Sequence, residues 1–189
     1  MQSLSLTVVV LALVLALTGV REANGAPIIN WDRCTEISVR LNQLAKHLAK
    51  EVLDGSRGLI HDISEQVVLV EPSDMCDPAG LKIDSKPCLQ KIITALGNYS
   101  RIFRKEELFL GSNREMAWKV SVTVSDFLGQ LGAQEPEGLG SDIHAWMQDD
   151  LAQYSVERLL SFSILVARVF AAGNPAAHDD APPTYCHQS

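Results

Sequence analysis

The four cysteines carry the most legible chemistry in this sequence. Cys76 and Cys88 stand twelve positions apart, Cys34 lies well upstream and Cys186 close to the end. In an oxidising compartment four thiols permit three complete pairings, and sequence alone does not choose among them. A Cys76–Cys88 bridge would close a small loop, a constraint worth about 3 kcal/mol in the chain-entropy account. Spacing favours that local bridge; the alternative is that either cysteine pairs elsewhere.

Catalytic chemistry finds little footing. The sequence holds no G-x-S-x-G, H-E-x-x-H, phosphate-binding glycine loop or C-x-x-C. The histidines at 47, 61, 144, 178 and 187 share no i, i+4 spacing. His61-Asp62 has the elements of a hydrolytic dyad, but no nucleophile stands out to complete it, and a solvated loop is the plainer reading. The pairs Asp149-Asp150 and Asp179-Asp180 lack the ligand spacing of a calcium loop and read as exposed surface. No catalytic residue, cofactor or metal site is expected.

Three other positions invite a functional reading. Trp146 falls among polar residues where a helix should begin, so it is either an interface anchor or a side chain folded under the preceding loop. Arg168 interrupts the apolar run ILVARVFAA. It either lies on a surface stripe or offers a guanidinium to a partner's carboxylate. Asn98-Tyr99-Ser100 is a glycosylation sequon, usable if Asn98 faces solvent. Trp31 and Trp118 read as packing residues.

The compartment follows from the first residues. Leu4 to Leu17 is uncharged and apolar, too short to span a bilayer comfortably, and small residues follow at Ala23, Gly25 and Ala26. That pattern predicts a secretory signal peptide over residues 1–25 and no membrane insertion afterwards. About 165 residues then remain, enough for one domain with one core. The net charge of −7 on a mixed-sign surface argues against nucleic acid as a partner.

Four helical runs must position these residues. In helix A, Ile37, Leu41, Leu44, Leu48 and Val52 line one face, and Gly55 offers a stop. From Ser56 to Lys86 periodicity fails, so a long connection without a helix of its own is expected; Val67–Val70 would form a short strand or lie over a helix seam. Helix B begins near Pro87, a residue tolerated in a first turn, and carries Leu89, Ile92, Ile93, Leu96, Ile102 and Phe103. After a break at Gly111 helix C carries Met116, Val120, Val124, Phe127, Leu128 and Leu131. Its β-branched centre VSVTVS leaves a strand possible, though the flanking spacing favours helix. Gly132 to Gly140 is a loop, and Ser141 or Asp142 caps helix D, which carries Ile143, Trp146, Leu151, Leu159, Leu160, Phe162, Leu165, Val166, Val169 and Phe170. Residues 26–172 thus form the domain, and 173–189 read as a disordered tail.

Connection lengths set the topology. The A–B link is long, the B–C link short, and the C–D link long enough to run the length of a helix: roughly nine or ten extended residues reach ~35 Å, against ~30 Å for a twenty-residue helix. Long, short, long is the requirement of an all-α, up-up-down-down four-helix bundle, the topology of growth-hormone-type cytokines.

Specific segments sharpen that reading. Trp31-Asp-Arg-Cys34, then Cys76-Asp-Pro-Ala-Gly-Leu81 with Cys88-Leu-Gln-Lys-Ile92, then Ala167-Arg-Val-Phe-Ala171, resemble in order the motifs of the interleukin-23 alpha-subunit family, within the interleukin-6/interleukin-12 superfamily of long-chain four-helix cytokines. The resemblance spans most of the chain after the leader, and the double-cysteine segment is its most specific part. It implies a secreted, non-enzymatic cytokine subunit that pairs with the interleukin-12 beta subunit. The pair would engage the interleukin-23 receptor and interleukin-12 receptor beta-1, and Janus kinases and STAT factors would then drive T-cell inflammatory responses. It further implies that Cys76 and Cys88 form an internal bridge, that Arg168 reaches into the beta subunit, and that Trp146 meets the interleukin-23 receptor. One departure stands out. Relatives carry a cysteine, bonded to the beta subunit, four residues before the first loop cysteine, and here that position is Pro72. Cys34 or Cys186 would have to substitute, or the pair is held non-covalently. The rival readings are an interleukin-12 alpha-like or interleukin-6-like cytokine and a secreted helical carrier of apolar ligands.

Overall fold

The computed structural model describes residues 29–54, 63–134 and 144–172. The leader, Gly55, the candidate caps Ser141 and Asp142, Ile143 and the tail with Cys186 lie outside these residues. The described chain is all-α: α1 (Trp31–Leu53), α2 (Pro78–Ile83), α3 (Lys86–Phe103), α4 (Ser112–Gln130) and α5 (Gln148–Ala171). The expected helices A, B, C and D are α1, α3, α4 and α5.

α1 starts where Asn30 can cap it: the Asn30 side-chain oxygen accepts from the Arg33 N–H at 3.0 Å. Its buried stripe is Ile37, Leu41 and Leu48, with Cys34 and Ala45 between the larger side chains. Leu44 and Val52 sit half-buried at the stripe's edge. Fully burying a side chain such as Leu41 contributes about 1.5–3 kcal/mol.

Long-range contacts give the direction of α1 against α4 and α5, and the short link from α3 to α4 turns the chain back between those two. The Thr35 hydroxyl donates to the Phe170 carbonyl at 2.9 Å, and the Trp31 ring lies 5.2 Å from that of Phe170. Arg33 reaches Asp126 at 3.0 Å. The start of α1 therefore meets the ends of both α4 and α5. α1 packs on α4 and α5, α3 packs on α4 and more lightly on α5, and α1 and α3 face each other across the diagonal. This is the up-up-down-down arrangement.

The VSVTVS segment is helical because its hydroxyls are satisfied within the helix. Ser121 donates to the Trp118 carbonyl at 2.9 Å, Thr123 to Lys119 at 2.8 Å and Ser125 to Ser121 at 2.9 Å. Such back-bonding lets buried Ser121 and Thr123 enter an apolar interface without stranding a polar atom.

Between α1 and α3 the structure corrects the expectation of an unstructured link. The segment holds 3-10 turns at Ser64–Gln66 and Pro72–Asp74 and the short helix α2. Six residues are too few to show helical periodicity, which is why α2 escapes a sequence reading. Val67–Val70 forms no strand; Val67 is buried and Val68 and Val70 pack against the core, so the segment lies over the bundle.

Candidate partner-binding surface

The loop motif C-D-P-A-G-L builds one wall of a groove, and each residue has a separate task. Cys76 is bonded to Cys88 in the first turn of α3, with Cα atoms 4.9 Å apart. Asp77 caps α2, its carboxylate accepting from the N–H groups of Ala79 at 2.9 Å and Gly80 at 3.1 Å. Those bonds, that from Gly80 foremost, hold the Asp77 carboxyl below its usual range. Pro78 occupies the first turn, where its missing N–H costs nothing. Gly80 lies against Met75, and Leu81 is buried in the core. A 3.7 Å contact between Lys91 and Asp74 adds a second tie to α3.

The opposite wall is the last part of α5. Val70, Pro72 and Leu81 from the loop face Ile164, Leu165 and Arg168 across a groove of about 710 Å³. Arg168 is exposed, and its guanidinium forms no ion pair or hydrogen bond with any described residue. The two acids on the same rim are engaged with the loop backbone. Asp77 caps α2, and Glu71 shares a reciprocal capping box with Asp74. The arrangement presents a cation beside apolar wall, suited to a partner carboxylate set among apolar side chains.

Trp146 lies at the other end of α5. It occupies a 3-10 turn, Ala145–Met147, just before the helix rather than the helix's own first turn, because α5 begins at Gln148. It is 58 % exposed and stacks on His144, ring centroids 6.0 Å apart. Twenty-odd helical positions separate it from Arg168, roughly 30 Å at helical rise. The two expected contact residues therefore belong to separate surfaces.

Trp118 was expected to pack, but it is 61 % exposed. The signal was available: the buried apolar positions of α4 are Ala117, Val120, Val124, Phe127 and Leu128, and Trp118 falls off that stripe. With Phe103, Phe109 and Ala117 it lines a cleft of about 380 Å³.

Burial bears on two positions that the sequence left open. Asn98 does not face solvent: it is 8 % exposed on the inner side of α3, bonded to the loop. Cys34 is wholly buried, and burial first, then the nearby Asp126 charge, pushes its thiol up to about 11. It is badly placed to replace the cysteine absent at Pro72. Pro72 itself lines the Arg168 groove, so a thiol at that position would stand on the same surface.

Comparison with known proteins accords with this geometry. No curated protein is matched by the chain. The sequence profile described as interleukin 23 subunit alpha matches residues 29–174, which contain α1 to α5, both bridged cysteines, Trp146 and Arg168. The chain belongs to the interleukin 23 subunit alpha family, a family of cytokine subunits.

Proposed function

We propose that the chain is secreted by way of its leader, residues 1–25, and pairs through the Arg168 groove with the interleukin-12 beta subunit. Residues 26–172 act as the cytokine unit. The heterodimer then engages the interleukin-23 receptor and interleukin-12 receptor beta-1, with Trp146 meeting the former. Janus kinases and STAT factors carry the signal to T-cell inflammatory responses, and the chain itself performs no catalysis.

The observation that carries this reading is the exposed Arg168 guanidinium, unpaired among the described residues, beside an apolar groove. Desolvating a cation against a well-placed carboxylate is favourable only when both charges are paired, so such a surface awaits a specific complement. With Pro72 on that surface and Cys34 buried, the pairing is proposed to be non-covalent at this groove. Co-expression with the beta subunit, followed by non-reducing and reducing gels, tests partnership and covalency together. Co-purification that separates on a non-reducing denaturing gel supports the reading. Efficient secretion of a lone, signalling-competent monomer would argue for an interleukin-6-like chain instead.

A further inference from the structure

The sequon Asn98-Tyr99-Ser100 lies where a glycan has no room. Asn98 is 8 %, Tyr99 0 % and Ser100 2 % exposed. Both polar atoms of the Asn98 amide are also engaged. Its nitrogen donates to the Gln66 carbonyl at 3.0 Å, and its oxygen accepts from the Val68 N–H at 3.1 Å. One side chain thus satisfies both a donor and an acceptor of a connection that has no sheet or long helix to do so. Two to four residues beyond Val68, the chain supplies Val70, Glu71 and Pro72 to the Arg168 groove.

We infer that Asn98 is a positioning residue for that groove, clamping the A–B connection onto α3, and that its sequon stays bare in the folded chain. Attachment of a sugar would replace one amide hydrogen and require the side chain to leave the loop for solvent. The clamp and the glycan are mutually exclusive. Ser100 contributes to the sequon but takes no part in the Asn98–Gln66 and Asn98–Val68 bonds, so the two roles can be separated by mutation. The clamp stands on geometry alone; its effect on pairing rests on the proposed partner.

The test uses the full chain secreted from animal cells with a co-expressed beta subunit. Peptide mass mapping before and after N-glycosidase treatment is expected to show unmodified Asn98 in the heterodimer. A glycan there in most molecules would overturn the inference. Amide exchange at Val68 supplies the second reading. Asn98→Ala is expected to speed it about tenfold, while Ser100→Ala, which equally destroys the sequon, leaves it near the wild-type rate. Equal effects of the two variants would overturn the clamp. Asn98→Ala should also lower heterodimer yield several-fold. If exchange rises but yield holds while Arg168→Ala abolishes pairing, the positioning role is wrong. If Arg168→Ala pairs normally too, the partner reading is what has failed.

Discussion

Met75 and Gly80 approach so closely that a β-carbon on Gly80 would lie 2.7 Å from the Met75 carbonyl oxygen and 2.8 Å from the Met75 β-carbon. Met75 itself holds a left-handed conformation, φ 58°, just before Cys76. The loop reverses here and α2 folds back beneath it. Gly80→Ala is therefore expected to force backbone apart, costing about 1–3 kcal/mol as overpacking does elsewhere. A denaturant midpoint shifted downward checks this; an unshifted midpoint would show that the loop absorbs a methyl freely.

The Asp77 cap predicts an acid-sensitive loop. Its folded carboxyl lies below the ordinary 3.8, so the ionised form stabilises the fold. That contribution is complete above pH 3.8 and is lost as pH falls through the lower folded value. The protection of the Ala79 and Gly80 amides against exchange, taken relative to the intrinsic rate at each pH, should fall in that range for the wild type. Asp77→Ala should show the lower protection at every pH.

Cys34 should resist modification in the native chain. With its thiol pushed up to about 11 and no exposed surface, little thiolate exists near pH 8 and none is accessible. Iodoacetamide is expected to label it only after denaturation. Stoichiometric labelling of the folded protein at Cys34, located by peptide mapping, would reopen it as a bridge to a partner.

Arg168→Ala removes no ion pair within the described fold. Monomer stability should stay within about 0.5 kcal/mol of wild type, while heterodimer yield falls sharply. Arg168→Lys keeps the charge but not the planar fork and should recover only part of the yield. Normal pairing of the alanine variant would dismiss Arg168 from the interface.

Trp146→Ala should leave the heterodimer intact, because the side chain is exposed and lies at the far end of α5 from the groove. Affinity for the interleukin-23 receptor, measured by surface plasmon resonance, should fall by tenfold or more, as for an aromatic anchor worth about 2 kcal/mol. Unchanged affinity would leave Trp146 a packing partner of His144.

The sequence by itself determined the four long helices and their order. Leucine and isoleucine recur along α1 and α3 at helical spacing, and two long links around one short link leave the up-up-down-down path. It also brought Cys76, Cys88 and Arg168 to notice by residue type alone. What it could not express is orientation between elements distant along the chain. Asn98 looked like a sugar acceptor because a sequon is local, whereas burial depends on a loop thirty residues upstream. Trp118 is a different case: its place off the apolar stripe of α4 was legible in the spacing, and residue type alone had suggested core. Cys34 stood among the candidate substitute thiols because its complete burial is not written in its neighbours along the chain. The exposed guanidinium of Arg168 acquired meaning only when the disulfide-bonded loop was set across from it. Local propensity and periodicity shape each helix, but which side chains remain for a partner is decided by what the folded bundle covers.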